Sequence, residues 1–173
     1  MISEQSRPHL IFSYGTLKQG FHNHTLMQDL IRQNDAAFHS TWFTNQPHPL
    51  VCGPYGIPYL INLPGIGHLV KGELYSVSTP GLTRLDELEG LSIGHYERLP
   101  VRVGNGDLSI QVEAYFAHRS FGEGLWKRKG EVGLTEFTEK EACDYVKRAD
   151  RPESTSIVDE IRLFVDSAGN EHQ

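Results

Sequence analysis

Between Ala36 and Leu74 no helix can persist. Pro47, Pro49, Pro54, Pro58 and Pro64 interrupt this stretch, with Gly53, Gly56, Gly65 and Gly67 among them, and each proline removes a backbone donor and collides with the preceding turn of a helix. What remains is a series of short apolar runs, of which Ala37 to Thr44, Tyr59 to Leu63 and Leu69 to Val77 are strand candidates. The last alternates Val70, Gly72 and Leu74 against Lys71, Glu73 and Tyr75. A chain with so long a helix-free centre has to fold around a sheet. Ahead of it, His9 to Tyr14 reads as a further strand that breaks at a tight turn, Gly15-Thr16-Leu17-Lys18-Gln19-Gly20. Leu26, Leu30 and Ile31 then recur at helical spacing and predict a helix from about Asn23 to Gln33.

Downstream, Ser78-Thr79-Pro80 is a helix start: a hydroxyl caps the free N–H groups and proline fits the first turn. That helix runs to about Glu89, and Gly90 suits a left-handed C-terminal cap. Pro100 to Val103 and Ile110 to His118 read as strands around the Asn105-Gly106-Asp107 turn. Thr138 and Glu141 have capping-box spacing, predicting a helix to about Lys147. Arg151 to Ser156 reads as a linker, and Ile157 to Val165 as one short element of either type. These elements predict an α+β fold with a mixed or barrel-like sheet and few helices, since strands and helices do not alternate as a doubly wound fold requires. One domain spans residues 1–173, with 1–8 a polar N-terminal tail and 151–173 a C-terminal extension.

At 173 residues, 38 % hydrophobic and 22 % charged, the chain can bury a core without staples. Its formal charge of −6 lacks the basic footprint that a phosphate backbone demands, so no nucleic acid is expected as a partner. Lys127, Arg128 and Lys129 read as a solvated face, with the adjacent Trp126 in a core or interface. Cys52 and Cys143 are too few and too far apart for a disulfide framework, which fits a reducing cytosol and a cytoplasmic protein. Met1 to Pro8 has no apolar core of a signal peptide, and no run approaches the ~18 apolar residues of a membrane span. No membrane association is expected, and no feature specifies an oligomeric state.

The segment Leu82 to Glu89 holds the most chemical information. Leu82, Leu85 and Leu88 form one apolar stripe at about 100° per residue, and Glu89 falls inside it, while Glu87 points away and Asp86 lies at its border. Burial and the negative end of a helix both raise a carboxyl's pKa, which suits a base working near neutrality. The plainer reading is that Glu89 reaches an arginine such as Arg84 or Arg98. The Tyr14-Gly15-Thr16-Leu17 turn could present successive N–H groups to a carboxylate or oxyanion, or could be purely structural. It is not a phosphate loop, because Phe21-His22 follows Gly20 in place of Lys-Ser/Thr. His22 and His24 have no third ligand cluster beside them, so no metal is expected. Cys52 with His48 or His118 lacks the surroundings of an activated thiol and reads as structural.

Taken in order, Tyr14-Gly15-Thr16-Leu17-Lys18-Gln19-Gly20, Asn23-His24, Gly56-Ile57-Pro58-Tyr59-Leu60, Leu63-Pro64-Gly65 and Leu85-Asp86-Glu87-Leu88-Glu89-Gly90 closely resemble the γ-glutamylcyclotransferase superfamily, nearest its γ-glutamylamine and plant-type branches. The resemblance covers about Leu10 to His118. It implies a compact mixed β-barrel with peripheral helices, no cofactor, and a small-molecule γ-glutamyl substrate that closes on itself to 5-oxoproline. It further implies that Glu89 is the general acid/base, that Tyr14, Gly15, Thr16 and Leu17 hold the glutamyl group, and that Ile57, Pro58, Tyr59 and Tyr96 line the pocket. A γ-glutamyl amine such as γ-glutamyl-ε-lysine is the expected substrate. Glutathione or γ-glutamyl amino acids, and a binding or regulatory protein without turnover, are the alternatives.

Overall fold

The computed structural model describes residues 6–153 and 156–167. Among them, seven strands share one sheet: β1 His9–Ser13, β2 Ala36–Thr44, β3 Leu50–Cys52, β4 Pro58–Leu60, β5 Lys71–Val77, β6 Tyr96–Asn105 and β7 Leu108–Ala117. The α-helices are α1 His24–Arg32, α2 Thr79–Leu88, α3 Gly122–Arg128, α4 Glu139–Ala142 and α5 Ile157–Ser167.

Five strands close into a mixed barrel in the order β1-β5-β2-β6-β7 and back to β1. Neighbours are antiparallel except at the closing seam, where β7 runs parallel to β1 and Ile11 faces Glu113. A bulge between Phe38 and Ser40 bends β2, and such bends help a sheet to curl shut. Beyond the seam, β4 joins β7 through Leu60 and Phe116, and β3 pairs with β4. Because strand residues alternate between faces, both faces of the barrel wall bury side chains. Phe12, Trp42, Leu74, Val101, Val103, Val112, Ala114 and Phe116 come from all five barrel strands and fill its interior. Ile11, Tyr75, Val77 and Tyr115 belong to a second cluster with Met27, Leu30, Leu82, Leu85, Leu125 and Ile161, so the helices pack on the outside of the wall.

The expected barrel with peripheral helices is thus present. Ser78 caps α2 by accepting from the Gly81 N–H at 3.1 Å, and its hydroxyl donates to Asp35 at 2.8 Å. Several boundaries differ from the sequence reading. The helix expected from Thr138 to Lys147 stops after Ala142, although the Thr138–Glu141 capping box forms. Its continuation is diverted: the Val146 N–H donates to Tyr55 O at 2.8 Å, so the chain leaves the helical path to pack over the Pro54–Gly56 turn. The strand expected from Pro100 begins four residues earlier at Tyr96, with Pro100 at an exposed rung opposite Glu113. The three-residue strand β3 and helix α3 had no counterpart in the sequence reading. The Ile157–Val165 element is helical and buries Val158 and Ile161. Arg128 ties it to α3, donating to Phe164 O at 3.1 Å and lying over the Phe164 ring. Trp126 is buried, while Lys127 and Lys129 are exposed. Residues 1–5 of the expected N-terminal tail, 154–155 of the expected linker and 168–173 of the extension lie outside the described residues.

Candidate active site

The end of β1 runs into a turn that its own hydrogen bonds hold open. Gly15 O accepts from the Lys18 N–H at 3.1 Å, and Asn23 grips Thr16 twice, N–H to Thr16 O at 2.9 Å and Nδ2 to Thr16 Oγ1 at 2.7 Å. The buried His24 ring contacts Leu17 O at 2.9 Å. Lys18 turns away, donating from Nζ to Phe137 O at 2.7 Å. Among the described residues the N–H groups of Gly15, Thr16 and Leu17 find no internal acceptor. Unpaired N–H groups on a buried turn need an outside partner.

Opposite this turn stands the end of α2. Leu82 and Leu85 anchor the helix in the outer core, and the Glu89 N–H closes its last turn on Leu85 O at 2.9 Å. Gly90 follows at φ +65°, a left-handed conformation that glycine adopts without strain and that redirects the chain to β6. Glu89 is thereby held in a narrow cleft with Phe12, Ser13, Tyr14, Gly15, Thr16, Leu17, Pro58, Tyr96 and Tyr115, about 30 Å³ of it open to water. Burial first, and the charge of Asp86 second, push the Glu89 carboxyl up to about 8. No basic side chain lines the cleft to oppose that shift.

The plainer reading of Glu89 does not describe this geometry. Arg98 is committed to other carboxylates, reaching Asp86 through Nε at 3.0 Å and Glu113 through Nη1 at 2.8 and 2.9 Å. Asp86 also accepts from the Tyr115 hydroxyl at 2.7 Å, so this clamp fixes a cleft wall and a negative charge one helical turn before Glu89. Tyr14 donates across the barrel seam to Tyr115 O at 2.5 Å, and Tyr96 donates to Pro58 O at 2.7 Å.

Of the residues singled out in the sequence, Tyr14, Gly15, Thr16, Leu17, Pro58, Glu89 and Tyr96 meet in the one cleft. Ile57 and Tyr59 do not reach its wall. Both are core residues, Tyr59 stacking on the Tyr96 ring at 5.1 Å and sharing a 2.7 Å hydrogen bond with His95. The sequence reading missed Phe12, Ser13 and Tyr115. Ser13 carried a signal, a lone hydroxyl in an apolar strand next to the turn; Tyr115 did not, because its role depends on the seam. Burial pushes the Cys52 thiol up to about 11, away from nucleophilic use. Among the described residues no three His, Cys, Asp or Glu side chains gather as a metal site needs, and no helix is long and apolar enough to cross a membrane.

A small mixed barrel with one carboxyl buried opposite a turn of unpaired N–H groups is an arrangement suited to moving a proton beside a developing negative charge. Residues 11–132 match the family described as "Gamma-glutamyl cyclotransferase, AIG2-like", and the chain belongs to this family of γ-glutamylcyclotransferase-type enzymes. A protein of Arabidopsis thaliana, provisionally named a γ-glutamylcyclotransferase, is 52 % identical over 172 residues, covering 91 % of this chain and 92 % of its own. A γ-glutamylaminecyclotransferase of Rattus norvegicus is 43 % identical over 115 residues, covering 61 % of this chain and 75 % of its own. The crystal structure of an AIG2-like protein from Mus musculus aligns with a TM-score of 0.66 at 29 % identity, covering 86 % of this chain and 98 % of that one.

Proposed function

We propose that the protein converts a γ-glutamyl amine, such as γ-glutamyl-ε-lysine, into 5-oxoproline and the free amine, with Glu89 as general acid/base. The observation that carries this reading is the Glu89 carboxyl, raised to about 8, in a cleft with three unpartnered N–H groups and no competing cation. In the reaction the substrate's α-nitrogen attacks its own γ-carbonyl carbon. A C–N bond forms as a five-membered lactam closes, and the old amide C–N bond breaks. No enzyme nucleophile is required. Glu89 takes the proton released by the α-ammonium and delivers it to the departing amine, and the Gly15–Leu17 N–H groups steady the oxyanion or the substrate carboxylate. Tyr14, Thr16, Pro58 and Tyr96 shape the pocket, and Ile57 and Tyr59 support it from behind. Relatives named γ-glutamylaminecyclotransferases favour an amine as leaving group. The free thiols Cys52 and Cys143 suit action in a reducing, cytoplasmic setting.

The test is 5-oxoproline release from γ-glutamyl-ε-lysine, a γ-glutamyl amino acid and glutathione in parallel. Preferred release from the first is the expected result. Preference for either of the others reassigns the substrate, and binding of 5-oxoproline without release from any leaves a non-catalytic binder.

Two variants probe the machinery. Asp86→Asn keeps an acceptor for Tyr115 but removes the negative charge that helps raise Glu89. The ascending limb of kcat/KM, read against pH with one substrate, is expected to move to lower pH than in the wild type. An unmoved limb would mean that Asp86 does not tune Glu89. In Gly15→Ala the new methyl would stand 2.8 Å from Pro58 Cγ, too close for contact in a cleft this narrow. We expect KM to rise about tenfold or more while stability falls by about 1 kcal/mol, compared by steady-state kinetics and urea melts.

A further inference from the structure

Ser13 lines the cleft, and its hydroxyl is one that the fold itself does not use. Ser13 is 4 % exposed, and its Oγ is shut off from water with no hydrogen-bond partner among the described residues. Buried hydroxyls are nearly always paired, because an unpaired one forfeits its hydration without compensation. The tyrosine hydroxyls of the cleft spend their donors, Tyr14 on Tyr115 O, Tyr96 on Pro58 O and Tyr115 on Asp86, while Thr16 Oγ1 is held in place as the acceptor of the Asn23 amide. Alanine would suit an apolar strand end at least as well as serine, so the fold alone gives no reason for an oxygen at this position.

The electrostatics of the cleft indicate what this donor meets. A γ-glutamyl compound brings an α-ammonium and an α-carboxylate. The ammonium has to lie within reach of Glu89, which leaves the carboxylate to be held elsewhere, and no arginine, lysine or histidine lines the cleft. A carboxylate among neutral walls needs several O–H or N–H donors aimed at it. Ser13, the O–H of Thr16 and the neighbouring N–H groups of Gly15, Thr16 and Leu17 are the unspent donors there, and of the two hydroxyls only that of Ser13 has no partner at all among the described residues.

Resting on the reading of the substrate as a γ-glutamyl amide, we propose that the Ser13 hydroxyl donates a hydrogen bond to the substrate's α-carboxylate and so is a binding residue of this enzyme. The contact is made in the ground state, in the transition state and in the product, since the carboxylate takes no part in bond making. Ser13 therefore governs affinity and leaves the chemical step alone.

The experiment compares wild type with Ser13→Ala in binding 5-oxoproline and 2-pyrrolidone, which is the same lactam without its carboxylate. Calorimetric titration should show 5-oxoproline weakened about tenfold or more by the substitution, the equivalent of one charge-assisted hydrogen bond, and 2-pyrrolidone unchanged. KM for the γ-glutamyl amide should rise by a similar factor with kcat within about threefold, and the variant should melt no lower than the wild type. An equal loss for both lactams, no loss for either, or a wild type that does not bind 5-oxoproline would overturn the proposal. Failure of the catalytic reading has a different signature: Ser13-dependent binding of 5-oxoproline persists while no γ-glutamyl compound is turned over.

Discussion

Glu89→Gln is expected to release 5-oxoproline at less than about one-hundredth of the wild-type rate, and to fold into a more stable protein. The two effects have one origin. Glutamine preserves the shape and polarity of the side chain but cannot carry a proton between two nitrogens. It also lacks the charge that the cleft disfavours. In the unfolded chain the carboxyl ionises near its ordinary value of 4.5, whereas in the folded protein it holds its proton up to about 8. The folded state therefore binds more protons than the unfolded state throughout this interval, and stability falls as pH rises through it. The deficit is absent below pH 4.5, reaches up to about 3 kcal/mol at pH 7, and is complete above pH 8. Urea melts of wild type and variant should coincide at pH 4 and diverge in favour of the variant towards pH 8. A variant that keeps full activity would remove Glu89 from the mechanism. A variant less stable at pH 8 would show that the carboxylate is better accommodated than its burial implies.

The second large effect lies at the acid end and comes from His95. Its ring is buried between Tyr59 and Tyr96, with centroids at 5.6 and 4.4 Å, and shares a hydrogen bond with the Tyr59 hydroxyl. Burial, then the charges of Arg151 and Arg148, depress its pKa from 6.5 to about 3. Here the unfolded chain takes up a proton that the folded protein refuses, so stability is lost as pH falls from about 6.5 towards 3, by up to about 3 kcal/mol at pH 4. His95→Gln keeps a polar group for Tyr59 without the ionisation. Its stability relative to wild type should improve steadily below pH 6.5, as measured by urea melts at pH 4, 5.5 and 7. A constant difference across these values would show that the imidazole stays uncharged in both states or charges in both. Between about 4.5 and 6.5 the slopes from Glu89 and His95 have opposite signs and equal size, one proton each. These two groups together therefore set a plateau there, which Glu89→Gln erodes on its acid side and His95→Gln on its alkaline side.

The architecture was legible wherever a local rule decided the outcome. Proline spacing excluded helix from residues 36–74, and the strands β2 and β5 stand there almost as expected. Ser78 and Gly90 bounded α2, and the leucine stripe on that helix placed Glu89 on its inward side before any tertiary contact was known. The turn after β1 and the carboxyl came together in one cleft through the family resemblance, since no periodicity relates residue 15 to residue 89. What stayed hidden depended on contacts between distant segments. The Thr138 helix is cut short because Tyr55 supplies an acceptor for Val146. Tyr59, which belongs to the same motif as Pro58, faces the core because strand alternation sends adjacent side chains to opposite sides. Asp86 looked like a border residue of its helix, and only the fold reveals the arginine and tyrosine that hold it.

The parallel seam between β1 and β7 joins residues about a hundred positions apart, as the bond from Tyr14 to Tyr115 spans 101. During synthesis at about 5–20 residues per second, the strand that carries the cleft emerges first and waits several seconds for the strand that completes it. Until then β1 can engage β5 on one side only, and its other edge is open to wrong partners. The cleft cannot exist in any nascent chain that has not yet exposed β7, because Tyr115, which lines it and completes the clamp on Asp86 begun by Arg98 of β6, arrives with that strand. Closure of the barrel is thus also the event that switches the protein on, and delays in that late, long-range pairing would be felt as lost activity before they were seen as lost secondary structure.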